Sequence, residues 1–83
     1  MEKVLVKLYV PTIEQEFDIK IPLGRNIGST ILLLLKGIKE ISKIDYQPNT
    51  IPVLYNKNTG NPYDYNIVIN DTDIKNGTEL ILI

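Results

Sequence analysis

Val4, Val6, Leu8 and Val10 alternate with Lys3, Leu5, Lys7 and Tyr9, the period of two that sends one side of a strand into a core. Pro11 and Thr12 interrupt it. Phe17, Ile19 and Ile21 then alternate with Glu16, Asp18 and Lys20, and the short polar link between the two strands predicts an antiparallel hairpin. Past the turn residues from Pro22 to Asn26 the period changes to about 3.6. Ile27, Ile31, Leu34, Leu35, Ile38 and Ile41 fall on one face of a helix predicted over about Ile27–Ser42. Asn26 is placed as its N-cap, and Lys36, Lys39 and Lys43 lie toward the end that favours positive charge. Gly28 and Gly37 each lower helix propensity by up to ~1 kcal/mol, so packing has to hold this helix.

A third strand is predicted over residues 51–56, followed by a breaker-rich turn over 57–62. Residues 62–69 read as a short or irregular strand. Asn76-Gly77 supplies a turn tolerant of positive φ, and residues 78–83 form the last strand. The order strand, strand, helix, strand, short strand, strand predicts an α+β fold of β-grasp type in one domain over residues 1–83. Its sheet is mixed, four- to five-stranded, with one helix packed on one face and a right-handed crossover. A ferredoxin-like fold would need a second helix, and the stretch left for one, 66–74, is short and rich in β-branched residues and aspartate.

Composition narrows the function by exclusion. A formal net charge of −1 offers no basic face for nucleic acid or anionic lipid. With neither histidine nor cysteine, the usual bases, nucleophiles and transition-metal ligands are missing, and no disulfide can form. The longest apolar run, 31–35, is too short to span a bilayer, and the N-terminus lacks signal-peptide anatomy, so a cytoplasmic protein without direct membrane insertion is expected. Heavy use of Ile, Asn and Lys fits an AT-rich genome such as that of a low-GC Gram-positive bacterium.

Few residues remain for chemistry. Asp64, Asp71, Asp73 and Glu79 form an acidic set, but Asp71-Thr72-Asp73 lacks the ligand spacing of a calcium loop and reads as turn capping. Gly24 and Gly28 flank the helix start at a spacing that matches neither a P-loop nor a dinucleotide fingerprint. No catalytic residue, metal ligand or cofactor is expected, and the chain is read as a non-enzyme.

The run from Ile69 through Asp71, Asp73, Ile74, Asn76-Gly77 and Leu80 to Ile83 resembles the closing segment of ubiquitin-like β-grasp domains. Ubiquitin and the sulfur carriers continue into a Gly-Gly tail, whereas this sequence stops at Ile83, so the expectation is a module that cannot be conjugated. Three segments bring the resemblance closer to the YukD/EsaB family of type VII secretion accessory proteins: Phe17-Asp18-Ile19-Lys20-Ile21-Pro22, the helix around Ile31 to Leu35, and Ile74-Lys75-Asn76-Gly77 with the final strand. It implies a cytosolic accessory or regulator of an ESX/Ess-like secretion system, acting by contact with a protein partner such as a membrane component of that machinery.

Two surfaces follow from strand and helix phase. With Val4, Val6, Leu8, Val10, Leu80 and Leu82 turned inward, Leu5, Tyr9, Ile81 and Ile83 turn outward. Placing Ile51, Val53 and Tyr55 inward buries the larger apolar set and turns Leu54 outward as well. Leu5, Tyr9, Leu54, Ile81 and Ile83 are then the candidate partner-binding residues on the open face of the sheet, the face by which ubiquitin is mostly recognised. Leu32 and Leu33, off the core stripe of the helix, are the alternative, a homodimer contact. Tyr46, Tyr63 and Tyr65 are a third, weaker candidate.

Overall fold

Inward-facing Val4, Val6, Leu8 and Val10 put the first strand at the centre of a sheet that the two ends of the chain build together. The computed structural model describes residues 2–83. In chain order the elements are β1 (Lys3–Val10), a 3-10 turn (Pro11–Ile13), β2 (Gln15–Pro22), α1 (Ile27–Ser42), β3 (Leu54–Asn56), a second 3-10 turn (Ile69–Asp71) and β4 (Glu79–Leu82). The sheet order is β2-β1-β4-β3; β1 and β4 run parallel, and the two outer pairs are antiparallel. This is the mixed sheet of a β-grasp, here with four strands. Fully buried Val6, Leu8, Val10, Leu80 and Leu82 meet Ile27, Ile31, Leu34 and Ile38 of α1 in one core. That burial, at ~25 cal/mol per Å² of apolar surface, is the main favourable contribution to the fold.

The helix has the predicted ends. Asn26 accepts a hydrogen bond from the Ser29 N–H (2.7 Å), and Lys43 closes the other end in a left-handed conformation, φ 61°. One member of its predicted core face differs: Ile41 is 62% exposed. The chain turns back just after α1, and Tyr46 joins the core there in place of a last helical apolar residue.

Residues 62–69 do not form the predicted strand. Apart from isolated bridges at Tyr55–Pro62 and Asn26–Val68, this segment is a strap over the start of α1. The Tyr65 and Ile67 carbonyls accept from the Gly28 and Ile27 N–H groups at 2.9 and 2.8 Å, and Ile69 donates to the Arg25 carbonyl at 2.8 Å. A helix start leaves such N–H groups without partners inside the helix. Here the strap takes them, and it spends on α1 the carbonyls a strand would give to the sheet. The strap lies close over Gly28: a Cβ there would just touch the Tyr65 carbonyl oxygen at 3.4 Å, whereas one on Gly37 would meet nothing within 4 Å.

β3 is shorter than predicted and in the opposite phase. Leu54 pairs with Leu82 and Asn56 with Leu80, so both turn inward, and Leu54 is fully buried. Asn56 takes an inward slot because its side chain is fully engaged. Its Oδ1 accepts from the Asn58 and Thr59 N–H groups (2.9 and 3.2 Å), and its Nδ2 donates to the Tyr63 hydroxyl at 3.1 Å and, more weakly, to Asp73 at 3.4 Å. The Tyr63 hydroxyl in turn donates to Asp73 at 2.6 Å. Burial, reinforced by this bond to a carboxylate, pushes the Tyr63 hydroxyl up to about 12.

Two outcomes are expected. In urea unfolding, Gly28→Val should cost ~1–3 kcal/mol as its branched methyls crowd the Tyr65 backbone, while Gly37→Ala should add ~0.5–1 kcal/mol. Tyr63 ionises less readily folded than unfolded, so its contribution is complete below its ordinary value of 10.0 and lost as pH rises toward about 12. Unfolding midpoints at pH 9 and pH 11.5 should therefore fall further for the wild type than for Tyr63→Phe.

Candidate protein-binding surface

Cross-strand register decides which outward residues become neighbours, because residues directly opposite share a face at about 5 Å. Tyr9 lies opposite Glu16 on one side and Ile81 on the other, and Ile81 lies opposite Tyr55. Tyr9, Ile81 and Tyr55, each half-buried, thus form an apolar row across β1, β4 and β3. Beyond it Ile83 exchanges backbone hydrogen bonds with half-buried Val53 (2.8 and 3.1 Å) and is itself 54% exposed. An open cleft of about 550 Å³ begins at Ile83 and runs between Thr12-Ile13 and the loop carrying Tyr46, Pro48 and Pro52.

The neighbouring row is charged. Lys7 stands opposite both Asp18 and Glu79, and Lys57 donates its N–H to the Glu79 carbonyl. Lys57 Nζ lies 4.0 Å from the Glu79 carboxylate and 6.0 Å from the Tyr9 ring centroid, while Lys7 Nζ lies 3.8 Å from Glu16. Such exposed pairs contribute ~0–1 kcal/mol each. Their effect on the surface is larger, because they draw a polar boundary along one side of the apolar row.

That boundary sorts the predicted residues. Tyr9, Ile81 and Ile83 come together. Leu5 is 45% exposed but lies on the far side of the Lys7–Glu79 pair, its backbone tied to the Asn76-Gly77 turn by two 2.8 Å bonds. Leu54 is in the core, and Tyr55 and Val53 take the place expected for it. The signal for this phase was Asn56 itself, standing at the mouth of a turn where a side-chain amide can bond the backbone two and three residues on.

On the helix, Leu32 and Leu33 are exposed, as expected, at 60% and 40%. They lie about 100° apart around the axis, within the width of one apolar stripe. Tyr46 is buried, the Tyr63 hydroxyl is held by Asp73, and the Tyr65 hydroxyl donates to the Pro52 carbonyl at 3.2 Å, so the three tyrosines do not share a surface role.

The acidic residues are dispersed, and the side-chain bonds that cap the Asp71-Thr72-Asp73 turn come from Thr72 and not from the aspartates. Asp64 accepts from the Asn66 N–H at 2.8 Å, Asp73 holds Tyr63, and Glu79 neighbours Lys57. Among the described residues no three carboxylates converge on a point where a metal ion could sit. The helix start offers no cradle for phosphate either, since the strap and Asn26 engage the N–H groups of Ile27, Gly28 and Ser29. Among the described residues no helix is long and apolar enough to cross a membrane.

No protein-family model matches the sequence, and no curated protein matches it. Solved structures do. The ubiquitin-like domain of EccD5 from Mycobacterium xenopi superposes with a TM-score of 0.77 at 16% identity, covering 100% of this chain and 94% of that one. The ubiquitin-like domain of the Mycobacterium tuberculosis type VII secretion protein EccD1 gives 0.68 at 14% identity, covering 100% and 99%. A chain of an ESX-5 inner membrane complex gives 0.71 at 9% identity, covering all of this chain and 21% of its own length. Sequence identity this low carries the fold and nothing finer: the chain is a ubiquitin-like β-grasp domain.

Proposed function

We propose that this chain is a protein-binding module of a type VII-like secretion system, docking non-covalently on a partner through the open face of its sheet. The observation that carries the reading is the contiguous apolar row Tyr9–Ile81–Tyr55, extended by Val53 and Ile83 and bounded by the Lys7–Glu79–Lys57 charges. Apolar surface gathered in this way and rimmed by polar groups suits a protein interface, with aromatic residues as its anchors. The likeness to EccD ubiquitin-like domains and to a chain of an inner membrane complex supports a place beside that machinery. So does the resemblance to the YukD/EsaB family. The module acts in the cytoplasm as an accessory or regulator, and its effect is stoichiometric.

The test is affinity purification of the tagged protein from its native cell, with wild type, Ile81→Asp and Leu5→Asp run in parallel. Secretion-machinery proteins should be recovered with wild type and with Leu5→Asp, and at least about tenfold less with Ile81→Asp. Circular dichroism should be the same for all three. Equal recovery with Ile81→Asp would refute the sheet-face site, and loss with Leu5→Asp alone would move the site across the charged row.

A further inference from the structure

The two edges of the sheet are treated differently. At β3 the outer edge is occupied, since Tyr63 donates to the Leu54 carbonyl and Asn56 to the Asn61 carbonyl, both at 2.9 Å. β2 ends the sheet on the other side, and among the described residues its only strand neighbour is β1. Which groups it leaves open follows from the register. Leu23 donates to the Glu2 carbonyl at 3.1 Å, and hydrogen-bonded pairs alternate along an antiparallel ladder, so Ile21, Ile19 and Phe17 turn their backbone groups toward β1. The other side of β1 agrees, because Leu5 and Lys7 direct theirs toward the Asn76–Thr78 segment. Glu16, Asp18 and Lys20 therefore point their N–H and C=O groups outward, away from the sheet. An unpaired strand edge of this length is a template for another strand.

We propose that the free edge of β2 pairs antiparallel with β2 of a second copy of this chain, joining two sheets into one across a twofold axis at Ile19. Charge chooses both the occupant and the register. The outward backbone groups of residues 16, 18 and 20 must bond one another across the seam, which leaves few alignments. Centring on Asp18 opposes Glu16 to Lys20 twice but sets two aspartates face to face at the axis, and centring on Lys20 sets two lysines face to face. Aligning Glu16 with Asp18 of the second copy opposes like charges twice. Centring on Ile19 opposes Asp18 to Lys20 twice and leaves no like pair. Opposite charges directly across a strand pair stabilise it and like charges destabilise it.

Neither Asp18 nor Lys20 has an ion-pair partner within 4 Å among the described residues, since Lys7, which faces Asp18, leans to Glu16 instead. On the helix side of the seam, half-buried Ile19 would meet its own copy. Exposed Leu33 and Ile41 stand on the flank of α1 opposite Gly28, and so on the side away from the strap. Pro22 has no N–H to give and limits the ladder at that end. With the axis perpendicular to the sheet, both apolar rows fall on the same side of the dimer. This contact is isologous, and it does not depend on the secretion partner.

Sedimentation velocity from micromolar to millimolar protein tests it. The wild type should show a reversible monomer–dimer equilibrium. Asp18→Lys and Lys20→Asp should each weaken it at least about tenfold, with unchanged circular dichroism. An equimolar mixture of the two variants should form a heterodimer, because each supplies the charge the other lacks; a purely structural effect of either substitution gives no such rescue. Amide exchange of the wild type needs no variant: the Glu16, Asp18 and Lys20 amides should slow with concentration while that of Lys7 stays constant. A wild type that remains monomeric, variants that dimerise unimpaired, a mixture without rescue, or edge amides protected only by some other protein would each overturn the proposal.

Discussion

Parallel pairing of β1 with β4 is the constraint on which the rest of the molecule depends. Lys7 meets Glu79 and Tyr9 meets Ile81 across nearly the whole length of the chain, and no local segment can substitute for either partner. A parallel pair cannot be closed by a tight turn, so everything between the two strands has to act as the crossover, and α1 falls on one face as a result. β4 then passes its phase to β3 through the Leu82–Leu54 and Leu80–Asn56 pairs. The open face, its apolar row and its charged row are all consequences of that one register. So is a folding rate limited by contacts distant in sequence.

Elements stabilised by their own residues were legible in the chain. The alternation in β1 and β2 gave the hairpin, Asn26 marked the start of α1, and Leu80 and Leu82 set the inward side of β4. Elements decided by distant partners were not. In β3, counting apolar residues favours Ile51, Val53 and Tyr55 inward, while Asn56 takes the inward slot by bonding the Asn58 and Thr59 N–H groups locally and Tyr63 and Asp73 from beyond the next turn. Residues 62–69 look strand-like by composition, yet their carbonyls are taken by the first N–H groups of α1. Ile41 keeps helical period with the core and still ends outside it, because the last turn of α1 gives way to Tyr46.

The candidate surface shows the same division. Tyr9, Ile81 and Ile83 were visible because they sit on strands whose phase is fixed locally. Leu5 was grouped with them by phase alone, which is blind to position along the strand, and the Lys7–Glu79 pair separates it from the others. Tyr55 and Val53 could be found only once Asn56 had set the direction of β3.

The central parallel pair also determines how the domain meets mechanical force. Tension applied through β1 and β4 pulls along both strands, so the bonds from Leu5 to Gly77 and from Lys7 to Thr78 are sheared together and cannot be peeled open one at a time. Forced unfolding follows the barrier to rupture and not the equilibrium stability. Resistance to stretching from the two end strands is therefore set by this shear geometry and not by the equilibrium stability of the domain.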